Sequence, residues 1–216
     1  IQYDISSSFE LGKFLPEKTG ITIPVYAGYS ESIINPEYNP LDPDIPLKKA
    51  LKNAASTHEK DSIKNIAQDY TRRRSLNFTN VSIRKKQGQP RIYDLANWSA
   101  SYAYNQMYSR NIATEYHEQR MYRGGLNYNF NARPKNVAPL SKVKGLSSPY
   151  LRLIKDFNFY YAPSRLSFRT DMNRMYMERK LRNLNNPYLE IEPVFNKDFY
   201  WNRYYDLNFD LTRSLK

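Results

Sequence analysis

Residues 198–212 alternate between apolar and polar side chains almost without interruption. Because successive side chains of a β-strand point to opposite faces, this pattern predicts a strand with one apolar, aromatic face and one polar face. The segment has about fifteen residues, roughly three times the usual length of a strand in a globular protein. Strands with one apolar and one polar face are typical of transmembrane β-barrels, whose outer surface contacts lipid and whose lumen holds water. Only Arg203 interrupts the apolar parity, which otherwise carries Phe199, Trp201, Tyr205, Leu207, Phe209 and Leu211.

The rest of the chain contains further segments of the same kind. Period-two alternation predicts strands over residues 2–11, 21–29, 76–83, 93–108, 115–133, 156–162 and 166–178. We therefore expect a mainly β fold of roughly six to eight antiparallel strands, forming part of an outer-membrane β-barrel with a short helical insertion. The predicted regions are strands and a proline-rich loop over 1–45, a helical insertion over 46–74, and barrel strands over 75–216, with an irregular part at 134–155.

The helical insertion is predicted from a change in the period of the apolar residues. From Leu47 onward they recur at helical spacing, first over residues 47–55 and then over residues 63–70. Ser56 or Thr57 can cap the second helix, because a hydroxyl oxygen accepts a hydrogen bond from a free backbone amide of the first turn. Two short helices are expected.

The composition excludes several classes of protein. The chain has no cysteine, which excludes disulfide scaffolds and thiolate metal sites. It has no run of 18 apolar residues and therefore no predicted spanning helix, although barrel strands need no such run. The net charge of +12 is local, because residues 46–91 carry twelve basic and three acidic residues. The first residue is not Met, and we expect the chain to be a piece of a longer protein.

The sequence contains no convincing catalytic or metal-binding motif. His58 and His117 lie in different predicted elements, and neither has a second histidine at ligand spacing. Asp206 and Asp210 share one parity, but solvated lumen charge explains them better than acid–base chemistry. We therefore predict no enzymatic activity, no cofactor and no metal.

Two basic clusters are candidate anion contacts, Arg72, Arg73 and Arg74 in one and Arg84, Lys85 and Lys86 in the other. They could bind phosphates of nucleic acid or of lipopolysaccharide. Few aromatic residues lie between the basic ones, so base stacking is weakly supported and no nucleic-acid partner is expected. The interpretation we favour is that both clusters flank a strand at a water boundary.

Several segments resemble the SprA/Sov family, the giant outer-membrane translocon of the type nine secretion system in Bacteroidota. The similar segments occur in the same order along most of the chain: residues 11–18 (LGKFLPEK), 38–44 (YNPLDPD), 69–81 (DYTRRRSLNFTNV), 155–159 (KDFNF), 166–174 (LSFRTDMNR) and 201–207 (WNRYYDL). The resemblance implies a segment of a very large barrel that conducts folded proteins and serves gliding motility. It also implies an outer-membrane location, with secreted cargo proteins, other secretion-system subunits and outer-membrane lipid as partners. This chain is about tenfold shorter than full members of the family.

In a barrel, each parity of the strands has a predicted environment. The side chains expected to face lipid or its interface are Trp98, Tyr102, Tyr128, Phe130, Trp201, Leu207, Phe209 and Leu211. The side chains expected to face the lumen are Asn127, Asn129, Asn208 and Asp210.

Two alternative functions remain open from the sequence. A soluble, basic, β-rich module that binds nucleic acid or another anionic polymer would explain the charge. An unrelated porin or receptor barrel would explain the alternation equally well, and only the family resemblance separates it from a translocon segment.

Overall fold

The computed structural model describes residues 1–84, 91–141, 143, 149–186 and 189–213. Its helices are α1 (Leu47–Asn53), α2 (Thr57–Ala67) and α3 (Arg152–Lys155). Short 3-10 turns occupy Leu11–Phe14, Glu17–Thr19, Leu95–Asn97 and Pro149–Leu151. The strands are β1 (Gln2–Glu10), β2 (Ile21–Thr22), β3 (Pro24–Ile34), β4 (Tyr38–Asn39), β5 (Asp42–Pro46), β6 (Asp69–Ile83), β7 (Trp98–Arg110), β8 (Thr114–Asn131), β9 (Asn136–Val137), β10 (Phe159–Tyr160), β11 (Arg165–Leu181) and β12 (Val194–Asn208).

One antiparallel sheet organises the molecule. Its strands follow the order β1-β3-β6-β7-β8-β11-β12, and the short β2 pairs with β6. β4 pairs with β5, and β9 pairs with β10, in two small separate ladders. The predicted mainly β, antiparallel fold with a short helical insertion is confirmed. The sheet is open, with β1 and β12 at its edges, and the described residues form no closed barrel.

The connection between β7 and β8 is a tight turn built on one asparagine. The Asn111 side-chain oxygen accepts hydrogen bonds from the backbone amides of Ala113 (3.1 Å) and Thr114 (2.8 Å). Asparagine favours such turns because its side chain can bond to the backbone two or three residues ahead. The turn sets the register in which Ser109 pairs with His117 and Trp98 pairs with Tyr128.

A bulge in β6 keeps two apolar side chains on the same face of the sheet. Phe78 pairs with Tyr102 and Val81 pairs with Ala100, so three residue steps on β6 match two on β7. The extra residue is accommodated by Asn80, whose φ of 55° lies in the left-handed region that asparagine tolerates better than most residues. Its backbone amide donates a hydrogen bond to Ser101 Oγ (2.9 Å).

The predicted helical insertion, residues 46–74, extends too far at its C-terminal end. α2 ends at Ala67, and β6 begins at Asp69, so residues 69–74 belong to the sheet. Local sequence did not indicate a strand here because three consecutive arginines hide the alternation. Pairing with two neighbours decides the structure instead, since Arg72 lies opposite Glu31 of β3 and Tyr108 of β7.

The boundaries of three predicted strands also need correction. β12 begins at Val194 and ends at Asn208, four residues earlier at each end than residues 198–212. Its partner β11 starts at Arg165, opposite Asn208, and therefore offers no ladder hydrogen bonds to residue 209 onward. In residues 156–162 only Phe159–Tyr160 is strand, and residues 95–97 form a 3-10 turn before β7.

The N-terminus of α2 is capped by Ser56, one of the two predicted residues. Ser56 Oγ accepts a hydrogen bond from the Glu59 amide (3.1 Å), and Glu59 Oε2 accepts one from the Ala55 amide (2.7 Å). Two amides at the start of the helix are thereby satisfied.

Removing this cap should destabilise the insertion. We expect Ser56→Ala to cost about 1 kcal/mol of α2 stability, because the Glu59 amide loses its acceptor. Amide hydrogen exchange in the first turn of α2 measures the effect. Ser56→Asn, which keeps a capping oxygen, is the matched control, and equal exchange rates in the two variants would contradict the role of the cap.

Candidate functional site: two faces of one sheet

The sheet presents two chemically different faces, and cross-strand pairing identifies them. Residues directly opposite each other on neighbouring strands point to the same side. One row runs through Trp98, Tyr128, Phe168 and Tyr205 on β7, β8, β11 and β12. Ring centroids are 4.9 Å apart for Trp98 and Tyr128 and 5.1 Å apart for Phe168 and Tyr205. We call the side that carries this row the aromatic face and the opposite side the polar face.

Six of the eight side chains predicted to contact lipid lie on the aromatic face. They are Trp98, Tyr102, Tyr128, Phe130, Trp201 and Leu207. Tyr128 and Phe130 are only 7% and 8% exposed, and the Tyr128 hydroxyl donates to the backbone oxygen of Ile92 (2.6 Å). In contrast, the edge strand leaves Trp201 and Leu207 more than half exposed. Contact of these six side chains with lipid remains a prediction.

Phe209, Leu211 and Asp210 do not have the predicted strand positions. All three follow the end of β12, because β11 begins at Arg165 opposite Asn208 and has no residues to pair with them. Leu211 instead accepts a backbone hydrogen bond from Tyr160 of β10 (3.2 Å). Strand parity, from which lipid contact for the two apolar residues and a lumen position for Asp210 were predicted, therefore does not apply to these residues. Their surroundings in a membrane remain a prediction.

The other predicted lumen residues lie on the polar face. Asn127 pairs with Ser99 and Arg169, Asn129 pairs with Ser167, and Asn208 pairs with Arg165. Three hollows of about 380, 500 and 510 Å³ are lined mostly by side chains of this face, among them Asn105, Arg123, Asp171, Asn173 and Asn202. The polar face therefore combines amide, hydroxyl and ionic groups with space for water.

One polar group on the aromatic face is fully used inside the sheet. Thr170 is 7% exposed, and its hydroxyl accepts a hydrogen bond from Trp201 Nε1 (2.6 Å) and donates to the Asn202 oxygen (3.2 Å). On the same face, the Arg203 guanidinium lies 4.2 Å from the centre of the Trp201 ring. The Thr170 hydroxyl and the Arg203 cation therefore both have partners within the sheet and do not depend on water alone.

At one end of the strands the aromatic face becomes charged. Guanidinium groups lie over tyrosine rings in the pairs Arg72–Tyr108 (5.4 Å), Arg74–Tyr29 (5.9 Å) and Arg120–Tyr176 (5.9 Å). We call these six residues the tyrosine–arginine band. Such pairs keep the cation at the border between an apolar surface and water.

Carboxylates inside the band are held by hydrogen bonds. Glu118 and Glu178 lie directly opposite each other, an arrangement of like charges that is unfavourable by itself. Arg120 Nε donates to Glu118 Oε1 (2.8 Å), and the hydroxyls of Tyr116 and Tyr176 donate to Glu178 (2.7 Å each). These donors offset the repulsion between the two carboxylates.

The predicted basic clusters are divided among different surroundings. Arg72 and Arg74 belong to the tyrosine–arginine band, whereas Arg73 lies on the polar face. Arg84 follows β6, and its backbone amide donates to the Gly20 oxygen (2.9 Å). Lys85 and Lys86 lie outside the described residues. Binding of an anion by any of them remains a prediction.

Two arginines connect the helical insertion to the sheet, and sequence analysis missed their role. Arg182 donates to the backbone oxygens of Asn111 (2.8 Å) and Asn65 (3.2 Å), and Arg110 donates to the Asn65 side-chain oxygen. Burial lowers the pKa of Arg182 from its usual value, and the charge of Arg110 lowers it further. Because Asn65 and Arg182 are 117 residues apart, no local pattern could have identified the contact.

The two histidines belong to different elements of the fold. His58 is in α2, and His117 is on the polar face of β8 with its Nε2 atom buried and unpaired. Among the described residues, no group of three or more His, Cys, Asp and Glu side chains could hold a metal ion. Within the same residues, no helix is both long enough and apolar enough to cross a membrane.

Comparison with known families supports the resemblance seen in the sequence. Residues 1–51, which run from β1 into α1, match the family model SprA_N, described as a motility related/secretion protein. No curated protein matches the chain. The match confirms the predicted resemblance to this family over residues 1–51. It indicates a motility- or secretion-related protein and is compatible with a location in the cell envelope.

Proposed function

We propose, from the family match and the two-faced sheet, that this chain is part of the wall of a large outer-membrane channel that conducts folded proteins. In this proposal the channel belongs to the type nine secretion system and serves gliding motility in Bacteroidota. The observation that carries the proposal is that most aromatic side chains of seven paired strands lie on one face of the sheet, opposite a face on which polar side chains predominate. Outer-membrane barrels need this arrangement because lipid contacts one face and water the other.

The dimensions of the sheet support a crossing of the outer membrane. The central strands β7, β8 and β11 contain 13, 18 and 17 residues, whereas a tilted transmembrane strand needs about 9–11. On the aromatic face of β8 no charged side chain occurs from Tyr122 to Phe130. This stretch has nine residues, which agrees with the ~9–11 that a tilted strand needs to cross the hydrocarbon layer.

The tyrosine–arginine band lies next to this apolar region, where a membrane boundary is expected. Tyrosine is enriched at bilayer interfaces because its ring is apolar and its hydroxyl is polar. Arginine side chains can extend from an apolar surface toward water. The band therefore supports an orientation in which its end of the strands projects from the hydrocarbon layer.

The polar face would line the conduit. Asparagine, serine and paired ionic side chains keep a surface hydrated, so that a folded cargo protein slides past it without adhering. A sheet that curves toward this face, as the inner wall of a barrel does, would bring its side chains closer together and enclose such hollows between them. The proposed mechanism contains no chemical step and assigns no catalytic residue.

The open edges must be paired in a bilayer. Backbone groups of an edge strand have no water to bond to in the hydrocarbon layer, so only a closed barrel is stable there. We propose that further strands pair with β1 and β12. The exposed apolar side chains along β12 are consistent with a strand that has a neighbour on its free side.

Fluorescence quenching tests whether the aromatic face contacts lipid. The chain has two tryptophans, so Trp98→Phe leaves Trp201 as the single tryptophan, which excitation at the red edge of the absorption band selects over tyrosine. In bilayers that contain brominated lipid, we expect strong quenching of Trp201, since its ring lies on the aromatic face.

The adjacent residue supplies the control. Tyr200 lies at nearly the same depth on the polar face and is 62% exposed, against 52% for Trp201. A Tyr200→Trp fluorophore, in a chain that also carries Trp98→Phe and Trp201→Phe, should be quenched weakly. Equal quenching at both positions would overturn the assignment of the faces. A chain that stays soluble without detergent and binds nucleic acid would favour the basic binding module instead.

A further inference from the structure

A hollow of about 340 Å³ lies where the helical insertion meets the end of the sheet. Its lining residues are Asn65, Tyr108, Arg110, Glu115, Tyr116 and Arg182. The volume falls within the roughly 300–1,000 Å³ of typical ligand sites. Two of the six lining side chains are guanidinium groups, which makes an anion the natural occupant.

The positive charge of the hollow is only partly neutralised, because Glu115 is the single carboxylate beside the two guanidinium groups of its lining. Arg110 donates to the neutral side-chain oxygen of Asn65 and lies 5.0 Å from the centre of the Tyr70 ring. Its Nε atom is buried and has no hydrogen-bond partner. No carboxylate among the described residues forms an ion pair with Arg110, and Glu115 is paired with Lys180 (3.2 Å). A buried donor without an acceptor is costly, and an oxyanion bound by the other nitrogens of this guanidinium would offset part of that cost through its charge.

The second guanidinium is held in place by the fold. Arg182 donates to backbone oxygens of α2 and of the β7–β8 turn, which fixes its position beside Arg110. These contacts explain why Arg182 is present but not why a second cation lies next to it. Burial lowers the pKa of Arg182, and the charge of Arg110 lowers it further, whereas the carboxylate of Glu115 opposes both effects without cancelling them.

We propose that this hollow binds a phosphate group through Arg110 and Arg182. Guanidinium groups form two parallel hydrogen bonds with phosphate oxygens, which a single ammonium group cannot do. Arg110 shares the aromatic face with the tyrosine–arginine band, as its pairing with Tyr70 shows. The phosphate comes from a lipid headgroup if the proposed membrane orientation holds, or from solution if it does not.

Binding of inorganic phosphate tests the site without depending on the proposed function. The full chain in uncharged detergent is titrated with phosphate at constant ionic strength in a calorimeter. We expect saturable binding that Arg110→Gln weakens about tenfold or more, because a charge-assisted hydrogen bond is lost. Arg73→Gln removes the same charge from the polar face and should leave the affinity unchanged.

A second measurement avoids any loss of folding in the variants. Phenylglyoxal modifies arginine, and mass spectrometry of the wild-type chain reports which guanidinium groups react. Phosphate should slow the modification of Arg110 and Arg182 relative to Arg73, whereas chloride at the same ionic strength should not. No saturable binding, or equal effects of phosphate on all three arginines, would overturn the proposal.

Vesicles distinguish the two sources of the phosphate group. If the ligand is a lipid, phosphatidylglycerol in phosphatidylcholine vesicles should protect Arg110 and Arg182, and pure phosphatidylcholine should protect them less. Protection by inorganic phosphate alone supports the site with a soluble ligand. The calorimetric experiment uses no bilayer. Absence of phosphate binding would therefore overturn the phosphate site alone, whereas equal quenching at residues 200 and 201 would overturn the channel wall alone.

Discussion

Leu126→Arg should destabilise the chain in a bilayer by about 2–4 kcal/mol, the cost of an arginine on the lipid face near the midplane. Leu126 lies on the aromatic face in the middle of the sheet, opposite Ala100 of β7 and Thr170 of β11. An arginine there has no carboxylate opposite it on either neighbouring strand. It would have to be buried in hydrocarbon or distort the strand to reach water.

A polar-face residue of the same strand is the matched control for this prediction. Asn129→Arg introduces the same charge three residues further along β8, on the polar face opposite Ser167. We expect a change of about 0.5 kcal/mol or less there, as for an ordinary hydrated surface position. The measurement is urea-induced unfolding of the chain reconstituted in lipid vesicles, followed by tryptophan fluorescence. Equal costs for both substitutions would exclude lipid contact by the aromatic face.

Arg182→Gln should destabilise the docking of the helical insertion by about 2–3 kcal/mol. The guanidinium joins α2 to the β7–β8 turn through the oxygens of Asn65 and Asn111. Hydrogen bonds from a charged donor contribute about 1.5–3 kcal/mol each, and part of that gain is offset by the burial of the cation. Glutamine is too short to reach both acceptors, so at least one of the backbone oxygens loses its donor.

Hydrogen exchange distinguishes this effect from a general loss of stability. Amides of α2 should exchange faster in Arg182→Gln, while amides in the centre of β7 and β8 keep their protection. Arg179→Gln is the control, since Arg179 lies only three residues earlier, within β11, but on the polar face opposite His117 and Val194. Equal acceleration in both variants would show that Arg182 does not specifically hold the insertion.

Sequence analysis identified the faces of the sheet well because alternation is a local property. On β8, Asn127 and Asn129 alternate with Tyr128 and Phe130, and the structure places the two pairs on opposite sides. The N-cap at Ser56 was predicted for a similar reason, since a cap bonds to amides only a few residues away.

The ends of strands were predicted less well because they depend on partners. Phe209 and Leu211 continue the alternation of β12, but β11 provides no residues to pair with them. Arg72, Arg73 and Arg74 show no alternation, yet they are strand because β3 and β7 supply partners on both sides.

The sequence by itself determined the two-faced strands, the helical insertion and the family resemblance. Each of these depends on residues near one another in the chain, where spacing alone encodes which side chains share a face. Tertiary structure decided where strands end, that the sheet stays open, and that Arg110 and Arg182 meet at Asn65. Those features depend on hydrogen bonds between segments up to 117 residues apart, which the spacing of residues within any one segment does not encode.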